Sequence, residues 1–466
     1  MIRRFTASVL ALGAALAHAA PVSAAPDQQL ARQLLDDLIA SNTAPSGGPD
    51  TRQAVSLLVD ALRAGGFAEE DISVISVSDQ LPSLVVRYRS PQPQAGAVLM
   101  MAHIDVVEGL ASDWTFPPYE ATEVDGWIYG RGSTDNKAGV ALLVANFIQL
   151  RREGFAPDRD LILMLTADEE STGASATLLS TTHRDLIAAD FALNTDGGGV
   201  IEGPDGAPLA FVMQTAEKVY ATFALTASDP GGHSSLPKTD SPISAVSRAL
   251  VALEDYHFPL NLNEISRGFF ANWSVVAPAA DRPLLEALAV WQPGEAEPAG
   301  LADSAYYNSL SRTTCVATQL AGGHAENALP QTARAVINCR ILPQETEAEV
   351  LAQITALAAP HGVSVETVFA YMASPPSLLR PDVVGPVTDV AVRHFGAIPV
   401  IPELSTGATD GAFVRNAGIP VYGVGAIAED PADIRAHGMD ERISITAYED
   451  AVAYWYDLAK AVSALD

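Results

Sequence analysis

Three short runs in this chain are apolar at nearly every position and then stop at acids or histidine. Val98 to Ala102 carries no polar side chain, and His103 and Asp105 follow at once. Leu161 to Thr166 runs into Asp168, Glu169 and Glu170, and Phe191 to Asn194 closes on Asp196 ahead of Gly197-Gly198-Gly199. A strand that is apolar at successive positions must be covered on both faces, as strands are inside a parallel sheet between helices. Apolar residues at helical spacing supply that cover at Gln28 to Ala40, at Asp50 to Ala64 ahead of Gly65-Gly66, and from Ala138 to Arg151 after Asp135. With strand-like runs at Ile72 to Val77 and Leu84 to Tyr88, the alternation predicts an α/β layer around a central, mostly parallel sheet. Ligands of such sheets bind at the carboxyl ends of the strands, where these polar residues fall.

The pattern changes near Glu217. Val219 to Ser228 alternates like a half-exposed strand, and Pro242 to Tyr256 reads as an amphipathic helix. Strands follow at Thr313 to Leu320 and Thr332 to Leu342, then a helix from Thr346 to Ala358 and a strand from Val363 to Phe369. That β-α-β-β-α-β order predicts a separate small α+β domain. Within it lies a stretch read as a loop-rich insertion, about Asn261 to Ser309, with the Pro/Gly/Glu segment Gln292 to Gly300. After Pro375 the α/β pattern resumes, with a helix at Val384 to Phe395, a strand at Val421 to Val424 and a last helix at Tyr448 to Leu465. A chain of 466 residues exceeds what one core usually organises. The expected division is a larger domain in two segments, 25–215 and 374–466, around a second domain spanning 216–373.

The formal charge is −29, from 27 basic and 56 acidic residues, which argues against nucleic acid or anionic lipid as a partner. Arg3 and Arg4, the apolar run Val9 to Ala17 and the small residues after it read as a signal peptide over residues 1–24. Val22-Ser23-Ala24 offers a cleavage site and Ala17-His18-Ala19 an earlier one. No second long apolar stretch follows, so a periplasmic or secreted protein with no membrane segment after signal removal is expected. Cys315 and Cys339 are the two cysteines; export permits a disulfide between them, and sequence alone leaves the pairing open.

Taken singly, an acid after a strand is an ordinary cap or turn residue, and a lone histidine is ordinarily structural. Jointly, His103, Asp135 in its glycine-rich loop, the acids at 168–170, Asp196 and His437 form a nitrogen and oxygen donor set suited to zinc, cobalt or manganese.

The segments Met101-Ala102-His103-Ile104-Asp105-Val106-Val107, Gly130-Arg131-Gly132-Ser133-Thr134-Asp135-Asn136-Lys137, Asp168-Glu169-Glu170, Asn194-Thr195-Asp196-Gly197 and Gly231-Gly232-His233-Ser234-Ser235 resemble the M20 family of metallopeptidases and amidohydrolases, in its order and rough spacing. The resemblance implies a zinc-exopeptidase-like three-layer catalytic domain with an inserted ferredoxin-like α+β lid. It implies two divalent ions, zinc with cobalt or manganese as alternatives, one held by His103, Asp135 and Asp196, the other by Asp135, Glu170 and His437. Glu169 would be the general base, Asp105 would orient His103 through its other ring nitrogen, and His233 would stabilise the oxyanion from the same chain or from a dimer partner. Asn327 and Arg340 resemble the pair that reads the substrate's polar end, and the loop Ser405 to Gly411, around Gly407, would add backbone N–H groups. A hinge near Ala216 and Ser374 and a cis peptide between Asp135 and Asn136 are also implied.

The stretch Arg312 to Leu342 is most similar to the carboxypeptidase S and N-acyl-amino-acid hydrolase branch, although His324 stands where that branch commonly has Lys. The expected activity is cleavage of an amide bond next to a free carboxylate in short peptides or N-acyl amino acids. The alternatives are an aminopeptidase or dipeptidase acting on unblocked dipeptides, and a catalytically silent binding protein. A homodimer through the lid domain is a further expectation.

Overall fold

The computed structural model describes residues 25–45, 50–370 and 372–465; the expected signal segment, 1–24, lies outside the described residues. A ten-stranded mixed sheet forms the larger layer. Its order runs Ile72–Ser76, Pro82–Tyr88, Leu161–Thr166, Val98–His103, Phe191–Asn194, Val421–Gly423, Pro208–Glu217, Gly199–Glu202 and Ala428–Glu429, with Val400–Ser405 also paired to Pro208–Glu217. The central strand Val98–His103 is parallel to both of its neighbours, Leu161–Thr166 and Phe191–Asn194. Alternation splits its side chains between two cores. Val98, Met100 and Ala102 join the cluster under the helices Gln28–Ala40, Arg52–Ala64, Lys137–Arg152 and Ile445–Ser463. Leu99 and Met101 join the opposite cluster, with Ala176, Leu179 and Val414. Helices on both faces explain why these strands read as continuous apolar runs, each buried aliphatic side chain contributing about 1.5–3 kcal/mol.

A four-stranded antiparallel sheet forms the second unit, in the order Thr314–Gly322, Thr332–Ile341, Val219–Ser228 and Ser364–Ala370. With the helices Pro242–Glu254 and Glu347–Ala358 packed on one face, this is the expected ferredoxin-like arrangement. The open face carries Tyr220, Thr222 and Arg340, because their strand neighbours Ala221, Cys339 and Ile341 take the buried positions. Cys315 and Cys339 stand opposite each other on adjacent strands and form a disulfide.

The stretch expected to be loop-rich differs. It holds the helices Glu264–Val276, Arg282–Val290 and Ala305–Ser311. Phe269, Phe270, Leu285, Leu288 and Trp291 there pack against Ala210 and Ile401 of the large sheet. Asn263 starts the first of these helices by accepting the Ser266 N–H at 2.9 Å.

Candidate metal centre and active site

His103 ends the central strand and is 2% exposed. Its Nε2 lies 2.9 Å from Asp135 Oδ1 and 3.8 Å from Asp196 Oδ2. Asp135 comes from the turn before the helix Lys137–Arg152, and the peptide to Asn136 is cis, as the resemblance implied. Asp196 follows its strand into glycines that only glycine permits: at Gly198, with φ of 66°, a Cβ would collide with the carbonyls of Gly423 and Val212. His437 Nε2 lies 3.0 Å from both Asp135 Oδ2 and Glu170 Oε1. The structure therefore brings together two donor groups, His103/Asp135/Asp196 and Asp135/Glu170/His437, which share Asp135. His103, Glu169 and Glu170 form a third grouping.

Asp105 meets the second ring nitrogen of His103, as the resemblance implied, and does so mainly through its backbone. The His103 Nδ1 contact goes to the Asp105 main-chain carbonyl at 3.0 Å, while the nearer carboxylate oxygen is 3.6 Å away. That carboxylate also accepts the N–H groups of Glu169 at 3.1 Å and Glu170 at 3.0 Å. One residue thus orients the histidine with its backbone and aims the two glutamates with its side chain. Asp168 serves the fold, its carboxylate accepting the N–H groups of Ala174 and Ser175, both at 2.8 Å.

A buried ion pair that the sequence reading missed ties the two outlying loops together. Arg131 Nη1 donates to Glu441 at 2.6 Å, with side-chain exposures of 2% and 0%. Glu441 also accepts the N–H groups of Gly132, Thr134 and Asp135 at 3.1, 2.8 and 3.1 Å. Arg131 donates to Gly438 O at 2.8 Å, next to His437, whose backbone is left-handed at φ 64°. Asp135 and His437 are held by the same pair.

The electrostatics of the cluster fit cations. Burial pushes Asp196 up to about 8, against the pull of His103 and with help from Asp135 and Glu170. Burial and then the Asp196 charge raise Glu169 well above its ordinary value. Asp410, also missed by the sequence reading, is pushed up to about 7 by burial although Thr166 and His103 pull it down. Asp135 is buried too, but bonds to His103 and His437 outweigh burial and hold it below the usual carboxylate range. His437 rises to about 10 through its bonds to Asp135 and Glu170. Burial thus makes it costly for these clustered carboxylates to be ionised together, and divalent cations bound among them would favour the ionised form and replace the imidazole protons. Imidazole nitrogens and carboxylate oxygens are also the right donors for such ions.

Beside the cluster lies a cavity of about 490 Å³. Glu169, Glu170 and His437 line it together with Arg340, Tyr220, Thr222, Val368, Phe369, Gly407, Asp410, Ala412 and Phe413. Arg340 stacks over the Tyr220 ring at 4.7 Å. Gly407 lines the cavity, and three N–H groups of its loop are bonded within the protein. The Gly407 N–H donates to Ser405 Oγ at 3.0 Å, that of Thr409 to Glu217 at 3.0 Å, and that of Gly411 to Thr409 Oγ1 at 3.0 Å. Two of these bonds shape the loop itself, and the third ties it to the end of the strand Pro208–Glu217.

His233 and Asn327 are not among the residues lining this cavity. Both are exposed, on a ribbon in which Gly232–His233 pairs with Ala328–Leu329, and Ser234 N–H donates to Asn327 O at 3.1 Å. The ribbon keeps the two together and presents them to solvent.

The chain is 30% identical over 372 residues to an N-fatty-acyl-amino acid synthase/hydrolase of Danio rerio, covering 77% of this chain and 71% of that one. It is 26% identical to a probable carboxypeptidase S-like protein of Dictyostelium discoideum, covering 81% and 74%. Among solved structures, an M20 family metallo-carboxypeptidase from Sulfolobus solfataricus superposes with a TM-score of 0.73 at 19% identity, over 93% of this chain and 99% of that one. The model of peptidase family M20/M25/M40 matches residues 99–461, a span that includes the whole donor cluster and the cavity, and this chain belongs to that family of metallopeptidases and amidohydrolases.

Proposed function

We propose that this protein is an exported dinuclear metal hydrolase that cleaves the amide bond next to a free carboxylate in N-acyl amino acids and short peptides. The observation that carries the reading is one cavity in which Glu169, Glu170 and His437 meet Arg340 and an apolar wall of Val368, Phe369 and Phe413. An N-acyl amino acid and a peptide C-terminus both offer a carboxylate for a planar guanidinium. The names of the relatives in Danio rerio and Dictyostelium discoideum describe substrates of that kind.

His103, Asp135 and Asp196 would hold one cation and Asp135, Glu170 and His437 the other, zinc or else cobalt or manganese, and when bound the pair supplies a more acidic water and a polarised scissile carbonyl. Glu169 takes the proton of the attacking water on its carboxylate and delivers it to the leaving nitrogen. Its burial beside Asp196 raises its proton affinity, which suits that role. Asp105 aims Glu169 through its backbone N–H. Arg340 binds the substrate carboxylate, and Asn327 and His233 complete the polar end and the oxyanion site. The exposure of those two residues favours delivery from a second copy of the chain, with the small domain moving about hinges near Ala216 and Ser374.

The test is hydrolysis by metal-loaded protein recovered from the periplasm or medium, recovery there being the check on export. The panel holds N-acyl amino acids, N-blocked dipeptides and unblocked dipeptides, with Glu169→Ala as control. Turnover of blocked substrates that vanishes in the variant is expected. Turnover of unblocked dipeptides alone would remove Arg340 from its role.

A further inference from the structure

We propose that Glu217 is a positioning residue that fastens the cavity loop 407–410 to the point where the chain crosses between the two sheets. Its effect on turnover rests on the hydrolase reading above.

The strand Pro208–Glu217 of the large sheet ends at Glu217, and the strand Val219–Ser228 of the small sheet begins after a single residue, Lys218. Glu217 is 3% exposed, yet four donors converge on its carboxylate. Arg415 Nη1 donates to Oε1 at 2.7 Å. Oε2 accepts the Thr409 N–H at 3.0 Å, the Thr409 hydroxyl at 3.0 Å and Gln214 Nε2 at 3.2 Å. A carboxylate has about four acceptor sites, and four donors reach this one, three of them at Oε2.

Arg415 carries the tie to the other crossing. Its Nε donates to Ser377 Oγ at 3.2 Å and its Nη2 to Val421 O at 3.3 Å. Ser377, where the chain has just returned from the small sheet, donates its N–H to Thr215 O at 2.8 Å and its hydroxyl to Val421 O at 2.8 Å. Both passages of the chain between the sheets therefore meet at one buried ion pair. Thr409 is the third party, and its neighbours face the reaction site. Gly407, Ala408, Thr409 and Asp410 line the substrate cavity, and Asp410 also lines the small recess formed with His103, Asn194 and Asp196.

A buried charge pair of this kind is weak evidence for a contribution to stability, because desolvation offsets the attraction, and the role inferred for it here is to specify one arrangement. Here the arrangement specified is that of the loop. With Glu217 in place, Thr409 has no freedom to move its N–H or its hydroxyl, and the cavity wall from Gly407 to Asp410 is fixed relative to the hinge.

The test compares Glu217→Gln, Thr409→Val and Thr409→Ser with the parent enzyme. Hydrogen exchange is followed over residues 405–411, alongside kcat and KM on the best blocked substrate and metal content. In Glu217→Gln, exchange of that loop should speed at least about tenfold, with strands Val98–His103 and Leu161–Thr166 unchanged. kcat/KM should fall at least about tenfold at undiminished metal content. Thr409→Val should show the same changes in smaller measure, and Thr409→Ser, which keeps the hydroxyl, should show clearly less of both than Thr409→Val. A folded Glu217→Gln whose loop exchange and kcat/KM stay within twofold of the parent overturns the proposal. Should Glu217→Gln fail to fold, Thr409→Val against Thr409→Ser decides by the same two readouts. A parent that hydrolyses nothing sinks the hydrolase reading instead, and loop exchange then decides the clamp by itself.

Discussion

Arg340 owes its position to its neighbours. Cys339 and Ile341 are fully buried under the helices of the small sheet, so alternation leaves Arg340 on the open face, over Tyr220 and into the cavity. A lysine at 340 would keep the charge but lose the fork that grips both carboxylate oxygens and the flat surface that stacks on tyrosine. A hydrogen bond to a charged group contributes about 1.5–3 kcal/mol, so Arg340→Lys should raise KM for N-acyl amino acids roughly ten- to a hundredfold. kcat should change much less, because the carboxylate is bound alike in ground and transition states. A variant that instead lost kcat at unchanged KM would place Arg340 at the reacting carbonyl rather than at the carboxylate.

Between the two sheets, Lys218 is the single linking residue, 1% exposed, with its Nζ donating to Arg312 O at 2.7 Å. Burial lowers it to about 7 from 10.5, with Glu345 opposing and Arg340 adding to the fall. Between those two values the unfolded chain binds the proton and the folded chain does not, so this residue makes stability rise with pH from about 7 to 10.5 and adds no slope below. One proton gives at most about 1.4 kcal/mol per pH unit. Thermal midpoints of the parent and Lys218→Met should therefore diverge in the parent's favour between pH 7 and pH 9, and parallel profiles would show that the folded lysine keeps its ordinary proton affinity.

The same elements mark how far the chain was legible. Strands Leu161–Thr166, Phe191–Asn194 and Val219–Ser228 fall where apolar runs and alternation put them, because both-face burial and half-burial leave distinct patterns. The helices from Glu264 to Ser311 look like loop in the sequence because Gly268, the proline and glycine segment after Trp291 and the clustered aromatics obscure the helical period. Asp410, Glu217 and Glu441 left no trace. A single acid in a loop has no period, and its partner is hundreds of residues away in two of the three cases, Glu217 with Arg415 and Glu441 with Arg131.

At the scale of the whole molecule, the edge strand Thr314–Gly322 matters most. It contains no charged residue in a chain with a net charge of −29, and it exposes Val316 at 62% and Leu320 at 59%. Edges that stay unpaired are ordinarily blunted with charge or proline, and this one has neither. A second copy laid against it across a two-fold axis would extend the small sheet and cover those side chains. The exposed ribbon with His233 and Asn327 belongs to the same small unit, so such a pair could set one copy's ribbon against the cavity of the other. Mixing tests this directly. His233→Ala and Glu169→Ala should each be nearly inactive alone. Unfolded together and refolded in equal amounts, they should regain about a quarter of parental activity, since half the dimers are mixed and each mixed dimer holds one intact site. Recovery would require that the histidine of one copy act in the site that holds the other copy's Glu169. No recovery, from a protein that light scattering shows to be dimeric, would mean that His233 serves the site of its own chain, by closure of the small domain.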